Sequence, residues 1–337
     1  MIISRAPFRL SLFGGGTDYP GYFSTEPSVI TAAAMDKYCY LTLRALPPFF
    51  DTHITRLVYS RIEAVKTNND ISHPTARACL VAMGIESGLE IHYDGDLPAR
   101  SGIGSSSAFT VALVAAINRL KAQKHSTSEI TEQVLKIEHN IVGESTGIQD
   151  QIIAAQGGVK VISCGPDDNI SVRNLLVSDE YLKLLSDSIL VGFYGAQRDG
   201  AEHSNYLTES IKSGKNKRSL DLTRQLSFEA LELLEAEKSM GEIGGLLKSG
   251  WQLKRGMMQE TNSLDPLNNL FEKAQKLGSH GGKLMGAGGS GFFYLLVDRE
   301  NQQKVRDEFQ EIKFWTNIQF DKHGVTTWNL SEDGSRE

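Results

Sequence analysis

Apolar residues alternate with polar ones along the start of the chain, and this spacing of two predicts a β-strand over residues 2–13. The strand ends in three consecutive glycines at 14–16, which allow a tight turn that no side chain blocks. The same pattern predicts two further strands, over 29–34 and 38–43.

Apolar residues three or four positions apart predict amphipathic helices in both halves of the chain. The predicted helices cover 108–120, 128–142, 202–212, 217–237, 243–257, 264–277 and 301–309. The predicted later strands cover 157–164, 188–194, 292–297, 314–320 and 325–328. We interpret the charged faces of the helices between 200 and 277 as solvated surface.

The length of 337 residues exceeds what one ordinary hydrophobic core supports and predicts two domains. A segment rich in Asp and Asn separates the strand at 157–164 from the strand at 188–194. We place the boundary in this region, which gives an N-terminal domain of residues 1–186 and a C-terminal domain of residues 187–337.

Charge and composition exclude several classes of function. With 35 Lys and Arg against 41 Asp and Glu, the net charge of −6 argues against a nucleic-acid-binding protein. No apolar run reaches the roughly 18 residues that a membrane span needs. The N-terminus lacks the features of a signal peptide, and the three cysteines are too far apart in sequence to suggest a disulfide framework. These features predict a cytoplasmic protein with neither membrane nor nucleic acid as a partner.

Residues 94–116 form a glycine-rich loop that leads into a helix. Gly102 and Gly104 allow the backbone to approach a ligand closely. Three serines follow them: Ser105, Ser106 and Ser107. Unpaired N–H groups and the macrodipole at a helix N-terminus favour an anion such as phosphate. Capping alone would explain one such loop, but three serines exceed what capping requires, so the loop is predicted to bind phosphate.

Acidic residues follow two other turns. Asp18 comes directly after the three glycines, where an Asx-turn is the alternative interpretation. Glu138 lies near the end of the helix at 128–142, and Asp150 follows a break at 143–147. A surface position is the commoner explanation for any one acid, but isoleucines flank Asp150, and an unpaired buried carboxylate is costly.

A second glycine-rich loop lies at 281–291, with the sequence GGKLMGAGGSG. Gly286, Gly288 and Gly291 match the dinucleotide pattern G-x-G-x-x-G, but a strand follows here where a Rossmann loop needs a helix. The loop is not a Walker A motif either, because Leu284 follows Lys283. An NAD-binding protein is therefore not favoured, although the glycines still permit close approach to a ligand.

Four stretches in this order resemble the GHMP family, the small-molecule kinases named after galactokinase, homoserine kinase, mevalonate kinase and phosphomevalonate kinase. The stretches are APFRLSLFGGGTDYP at 6–20, LPARSGIGSSSA at 97–108, GIQDQ at 147–151 and KLMGAGGSGFF at 283–293. The resemblance implies a two-domain α+β fold with the active site in the cleft between the domains. It implies an N-terminal domain like ribosomal S5 domain 2 and a C-terminal ferredoxin-like α/β sandwich.

The resemblance also implies an ATP-dependent phosphotransferase with an alcohol group as acceptor and with Mg²⁺ as its metal. Ser106 and Glu138 match the residues that hold the metal. Asp150 is similar to the acid that orients or deprotonates the attacking hydroxyl, and Arg9 to the cation beside it. These residue types suit phosphoryl transfer, which needs positioning and charge neutralisation more than covalent help.

The implied substrate contacts come from three places in the chain. They are Gly16, Thr17 and Asp18 in the first glycine turn, Gly286 and Gly288 in the loop that would close over the substrate, and Arg198, at a junction where related sugar kinases also have an arginine. Galactokinase-like members have an acid and a histidine where this chain has Gly15 and Gly16, which argues against galactose.

The GGGTD form of the first turn resembles most the kinases of D-glycero-D-manno-heptose 7-phosphate. These phosphorylate the anomeric hydroxyl, giving the 1,7-bisphosphate used for nucleotide-activated heptose and surface polysaccharide. The alternatives are an L-fucokinase-like or other sugar 1-kinase and, in another class, a catalytically silent sugar sensor on the same fold. The predicted partner is a small sugar phosphate, and a homodimer is compatible with the sequence.

Overall fold

A computed structural model describes residues 1–46, 54–86, 88–99, 101–143, 146–167, 169–195, 200–258, 265–286 and 291–330, with the backbone alone at 200–205. Its strands are, in chain order, β1 (Ile2–Phe13), β2 (Ser28–Ala45), β3 (Thr55–Val58), β4 (Ile62–Val65), β5 (Leu89–Gly95), β6 (Val159–Gly165), β7 (Asn169–Asn174), β8 (Ile189–Tyr194), β9 (Ser279–Leu284), β10 (Gly291–Val297), β11 (Trp315–Asn317) and β12 (Thr326–Asn329).

The helices of these residues are α1 (Pro20–Phe23), α2 (Pro74–Ala82), α3 (Ser105–Leu120), α4 (Thr127–Leu135), α5 (Gln149–Gln156), α6 (Asp179–Asp187), α7 (Gly200–Lys212), α8 (Lys217–Glu235), α9 (Met240–Gly256), α10 (Asp265–Lys276) and α11 (Gln302–Glu308). A π-helical turn, Lys136–Val142, continues α4. The helices predicted from apolar periodicity are confirmed to within a few residues. Within the described ranges, no helix combines the length and the apolar character that crossing a membrane would demand.

The first sheet has eight strands and is built around β2. Its order is β12-β1-β2-β5-β3-β4, with β6 paired to β2 and β7 paired to β6. The first half of β2 pairs with β6 and the second half with β5. The prediction of two strands over 29–34 and 38–43 was wrong. Asp36 and Lys37 interrupt the apolar pattern, but the backbone stays extended and the Asp36 carboxylate accepts a hydrogen bond from the Gln319 amide at 2.9 Å.

Helix α3 lies against β1 and β2 and is buried along almost its whole length. Its side chains from Ala108 to Ile117 are all less than 9% exposed. This burial explains why its sequence is nearly continuous in apolar residues, and it anchors the loop at the helix N-terminus.

The second sheet has the strand order β11-β8-β10-β9, and every pairing is antiparallel. Numbered along the chain, this is the order 4-1-3-2 of a ferredoxin-like sheet. Helices α7 to α10 form the connection between the first and second of these strands, and α11 lies between the third and fourth. The predicted ferredoxin-like C-terminal domain is therefore confirmed in its sheet order.

Part of the glycine-rich stretch at 281–291 is a strand, β9, rather than a loop. The glycines are needed because α9 packs directly on this strand. A β carbon at Gly281 would lie 2.3 Å from the backbone oxygen of Gly244, and one at Gly244 would lie 2.3 Å from His280. Glycines in a strand thus mark close packing of backbones as well as turns.

The last strand, β12, returns to the first sheet, where it pairs antiparallel with the start of β1. Arg5 of β1 stacks on the Tyr38 ring at 4.3 Å and on the Trp328 ring at 5.4 Å. The predicted second domain of 187–337 therefore includes one strand that completes the first sheet. A single domain boundary in the sequence cannot describe this arrangement, because β12 lies after the boundary but pairs with β1.

Candidate active site

The glycine-serine loop leads into the N-terminus of α3, as the sequence predicts. Gly104 is the residue before the helix, with φ of 71°, and Gly102 has φ of 82°. Both angles lie in the left-handed region, where a side chain is strained. Ser106 is exposed at the second position of the helix, while the serines on either side of it are buried. The first-turn amides of a 16-residue helix therefore lie beside an exposed hydroxyl, which suits a phosphate.

Asp150 lies directly against this loop. A β carbon at Gly104 would be 3.0 Å from Asp150 Oδ2, so glycine is what allows the loop and the carboxylate to approach each other. Asp150 is the second residue of α5, and its side chain is 24% exposed. The structure thus brings the predicted acid and the predicted phosphate loop together.

Arg9 joins the two. Its Nε donates to Asp150 Oδ1 at 2.6 Å, and its Nη2 lies 2.5 Å from the same oxygen. Nη1 donates to the carbonyl oxygen of Gly102 at 3.3 Å, and the backbone amide of Arg9 donates to Ile103 O at 2.9 Å. The Arg9 side chain is only 6% exposed, so this ion pair is largely shielded from water and well defined in orientation.

Asp18 is buried beside the first glycine turn, and its contact with a sugar stays a prediction. It is 1% exposed; its Oδ1 accepts from the Gly16 amide at 2.9 Å, and its Oδ2 accepts from the Gln149 side-chain amide at 3.0 Å. A β carbon at Gly147 would lie 2.0 Å from Asp18 Oδ2. The pKa of the Asp18 carboxyl is raised, chiefly because the group is buried, and the negative charge of nearby Asp150 adds to the rise. The hydrogen bond from the Gly16 backbone amide opposes this effect. Asp18 therefore ties the first glycine turn to the start of α5.

Thr17 closes the same turn. Its hydroxyl donates to Gly14 O at 2.8 Å, and its amide donates to the same oxygen at 3.0 Å. Gly16 has φ of 100°, a conformation that glycine adopts readily. The structure places Thr17 as a buried turn residue, and its contact with a substrate stays a prediction.

Glu138 is 0% exposed and lies in the π-helical turn after α4. Its carboxylate accepts hydrogen bonds from the Ser107 hydroxyl at 3.1 Å, from Thr110 at 2.5 Å and from Gln151 Nε2 at 2.5 Å. Ser106 is exposed at the same end of α3, and its role as a metal ligand together with Glu138 stays a prediction. Single π turns are frequent at functional sites, and this one carries a carboxylate toward the start of α3.

The second glycine-rich loop starts against the first. Gly286 has φ of 69°, and a β carbon there would lie 2.3 Å from Gly102 Cα. On the other side of the loop, the Phe292 amide donates to Ser101 O at 3.0 Å. Backbone atoms of the C-terminal sheet and of the segment that follows β9 therefore approach the phosphate loop closely. Gly288 and Arg198 lie outside the described residues.

Two lysines complete this region, and neither is among the site residues predicted from the sequence. Lys283, which is 9% exposed, donates to the carbonyl of Leu12 at 3.1 Å. Lys254 of α9 donates to Leu284 O at 2.7 Å and to Gly286 O. The interpretation of the α9 charged face as solvated surface was wrong for Lys254, because this residue lies under the start of the glycine loop. A lysine one helical turn from buried Trp251 was the available signal.

The two lysines and Arg9 form a cluster of basic side chains, with Asp18 near Lys283 and Asp150 bound to Arg9. Burial, with Arg9 nearby, lowers the pKa of Lys283 to about 7. Burial, with Lys283 and Arg9 nearby, lowers the pKa of Lys254 well below its ordinary value. Each positive charge here disfavours protonation of the next side chain, and an anion bound nearby would favour the protonated form of both lysines.

Replacing Lys283 with methionine is expected to remove part of the pH dependence of folding stability. The folded pKa of about 7 lies below the ordinary 10.5, so the cost of burying the charge is fully present below pH 7. Between these two values the unfolded chain holds a proton that the folded chain has released, and stability rises with pH. In the wild type, Lys283 should therefore raise the free energy of unfolding by about 1.4 kcal/mol from pH 6 to pH 8, and Lys283→Met should lack this increase.

Urea unfolding of both proteins at the two pH values measures this difference. The exposed Lys304 offers a matched control, since Lys304→Met should keep the wild-type pH dependence. An unchanged pH dependence in Lys283→Met would contradict the burial of a titrating ammonium at this position.

The family comparisons agree with this geometry. The model described as GHMP kinases N terminal domain matches residues 69–158, and the model described as GHMP kinases C terminal matches residues 228–313. The two matches together span more than half of the chain and include the phosphate loop, Glu138 and Asp150.

Individual relatives are more distant. A D-glycero-alpha-D-manno-heptose 7-phosphate kinase from Campylobacter jejuni is 24% identical over 98% of this chain and 99% of its own length. A bifunctional fucokinase/GDP-fucose pyrophosphorylase from Arabidopsis thaliana is 28% identical over 74% of this chain and 24% of its own length.

A solved structure of a D-glycero-D-manno-heptose 1-phosphate kinase from Bacteroides thetaiotaomicron superposes with a TM-score of 0.75 at 21% identity, covering 98% of this chain and 99% of that one. At this identity the likeness establishes the two-domain fold. The fold, the two family-model matches and the phosphate loop beside Asp150 agree, and the chain therefore belongs to the GHMP kinase family of ATP-dependent kinases.

Proposed function

We propose that this kinase phosphorylates the anomeric hydroxyl of D-glycero-D-manno-heptose 7-phosphate, giving the 1,7-bisphosphate for synthesis of nucleotide-activated heptose. The observation that carries the proposal is the position of Asp150. Arg9 binds its Oδ1, and its Oδ2 lies 3.0 Å from the position that a β carbon would take at Gly104 of the phosphate loop. A hydroxyl held at Oδ2 would thus lie beside the phosphate that it attacks.

In this arrangement the protein's own groups orient the acceptor. Asp150 accepts the hydrogen bond of the attacking hydroxyl and takes or directs its proton. Arg9 is bound to both Asp150 and the Gly102 carbonyl, so it fixes the distance between acceptor and phosphate loop. Holding two reactants in such a geometry is a large part of what catalysis of phosphoryl transfer requires.

Ser106 and Glu138 are the proposed residues for Mg²⁺. In the described part of the chain no three Asp, Glu, His or Cys side chains converge as metal ligands. One hydroxyl and one buried carboxylate fit Mg²⁺, which commonly takes one or two protein ligands together with phosphate oxygens. When bound, the ion neutralises charge on the transferred phosphate. The Glu138 carboxylate is kept in place by Ser107, Thr110 and Gln151.

The choice of heptose phosphate rests on the relatives and on the first glycine turn. The Campylobacter jejuni relative matches the whole chain and is named for heptose 7-phosphate. Gly15 and Gly16 replace the acid and histidine of the galactokinase pattern, which argues against galactose. Arg198 remains the predicted contact of the sugar phosphate.

ADP release with ATP and Mg²⁺ tests the proposal. The acceptors are D-glycero-D-manno-heptose 7-phosphate, the corresponding 1-phosphate, L-fucose, D-mannose, galactose and mevalonate. We expect turnover with the heptose 7-phosphate, none with Asp150→Ala, and none when EDTA replaces Mg²⁺. The 1-phosphate is included because the Bacteroides structure is named for it.

Other outcomes would change the assignment in defined ways. Turnover of fucose alone would replace the substrate and remove the role of Arg198 in binding phosphate. Sugar binding without turnover of any acceptor would favour the silent sensor. Full activity of Asp150→Ala would contradict the role of the carboxylate itself.

A further inference from the structure

Two buried polar atoms near the catalytic pair have no hydrogen-bond partner among the described residues. They are Ser11 Oγ and Gln149 Oε1. Ser11 is 5% exposed and Gln149 is 6% exposed, so bulk water does not readily satisfy either atom. Unsatisfied buried polar atoms are uncommon in native proteins, and each calls for an explanation, of which a missing ligand is one.

The Ser11 hydroxyl and the side-chain amide group of Gln149 both lie beside Gly15. A β carbon at Gly15 would lie 2.9 Å from Ser11 Oγ and 3.4 Å from Gln149 Nε2. Gly15 is not among the glycines with positive φ, so its backbone conformation does not itself require glycine. The missing side chain leaves room between the two polar groups.

This space lies next to the Arg9–Asp150 pair. Alternate residues of a strand point to the same face, so Ser11 follows Arg9 on the face of β1 that meets α5. Gln149 immediately precedes Asp150 at the start of α5. A ligand group above Gly15 would therefore be a neighbour of the hydroxyl that Asp150 orients.

The donors and acceptors define what fits. Gln149 Nε2 donates to the Asp18 carboxylate at 3.0 Å, and this bond fixes the orientation of the amide and leaves Oε1 as an acceptor. Ser11 Oγ can donate and accept. An anion would be repelled by the amide oxygen and by buried Asp18. An alcohol fits, because it can donate to Oε1 while it accepts from Ser11.

We propose that Ser11 and Gln149 bind a second hydroxyl of the acceptor sugar, in the space left by Gly15, and so determine which sugars are accepted. This subsite rests on the proposed function, because it assumes an acceptor with several hydroxyls. Its role is in acceptor binding and selectivity, whereas Asp150 and Arg9 act on the reacting hydroxyl.

The test compares Ser11→Ala and Gly15→Ala with a matched control, Ser4→Ala. Ser4 is also on β1, is 0% exposed, and its Oγ also lacks a partner among the described residues, but it lies at the other end of the strand. The acceptors are D-glycero-D-manno-heptose 7-phosphate and its monodeoxy analogues, each lacking one hydroxyl other than the anomeric one. The readouts are kcat and KM for acceptor and for ATP, binding of the acceptor by calorimetry, and Tm.

Wild type and Ser4→Ala should discriminate against one monodeoxy analogue by roughly 10- to 100-fold in kcat/KM, the loss expected when a buried polar pair has no partner. Ser11→Ala should lose most of that discrimination, and Gly15→Ala should raise the acceptor KM by about 10-fold or more because its methyl group fills the space. The KM for ATP and the Tm of Ser11→Ala should not change.

The proposal is overturned if Ser11→Ala and Ser4→Ala discriminate equally against every analogue. Turnover of a different alcohol would overturn the heptose assignment but not the subsite. The same variants, measured with that alcohol and its monodeoxy analogues, would then test whether Ser11 and Gln149 bind one of its hydroxyls. A wild-type protein that neither phosphorylates nor binds any member of the panel would overturn both proposals.

Discussion

Replacement of Asp150 with asparagine is expected to lower kcat by roughly 10²- to 10⁴-fold, the range for loss of a positioned acid or base. Asparagine keeps the shape of the side chain, so the space beside Gly104 stays filled. It removes the negative charge that faces the Arg9 guanidinium, whose side chain is 6% exposed. The acceptor hydroxyl then loses both its proton acceptor and the charge balance around it.

The control for this substitution is Asp265→Asn, which removes the carboxylate of another Arg–Asp pair. Asp265 pairs with Arg255 at the start of α10, and its side chain is 50% exposed. Steady-state ADP release should be unaffected there. A kcat for Asp150→Asn within about 3-fold of wild type would exclude Asp150 as the acid that orients the acceptor, because even weak general-base catalysis exceeds that factor.

The elements that the sequence predicted well are those in which one pattern decides the structure. Helices α8 to α10 have an apolar stripe facing the core and a polar face outside, so periodicity alone locates them. The phosphate loop is likewise local, since Gly102, Gly104 and the start of α3 are adjacent in sequence. The relation between Arg9 and Asp150, 141 residues apart, came from the family resemblance, and the structure joins them by an ion pair.

The features that the sequence did not predict depend on contacts between distant segments. Asp18 followed a glycine turn, but its burial depends on Gly147, which leaves room for its carboxylate. Lys254 lies one helical turn from Trp251, which hints at the buried side of α9, but its hydrogen bonds to Leu284 and Gly286 could not be predicted from the helix itself. The residues that contact one another here are far apart in the chain, so periodicity carries no information about them.

The same limit applies to the subsite proposed above Gly15. Ser11 looked like an ordinary polar residue on a strand, and Gln149 like a neighbour of the predicted acid. Their significance lies in two buried side chains beside a glycine, each of which has one polar atom without a partner among the described residues. Glycine thus occupies two positions of the first turn for different reasons. Gly16 has a positive φ, whereas Gly15 leaves space for a neighbouring group.

Replacement of Gly286 with alanine is expected to reduce kcat/KM for ATP by about 100-fold, the effect of moving a catalytic group by roughly 1 Å. The added methyl group would lie 2.3 Å from Gly102 Cα, so one of the two glycine loops must move. Lys254 and Lys283 hold the second loop to its own domain and to β1, so we expect the displacement to reach the phosphate loop.

Gly214→Ala separates this effect from backbone strain. Gly214 has φ of 70°, almost the same as the 69° of Gly286, but a β carbon there meets nothing within 4 Å. Both variants should lose about 1 kcal/mol of stability from the left-handed conformation. Only Gly286→Ala should also lose activity with ATP, and equal kinetics in the two variants would show that contact between the loops does not position the phosphate site.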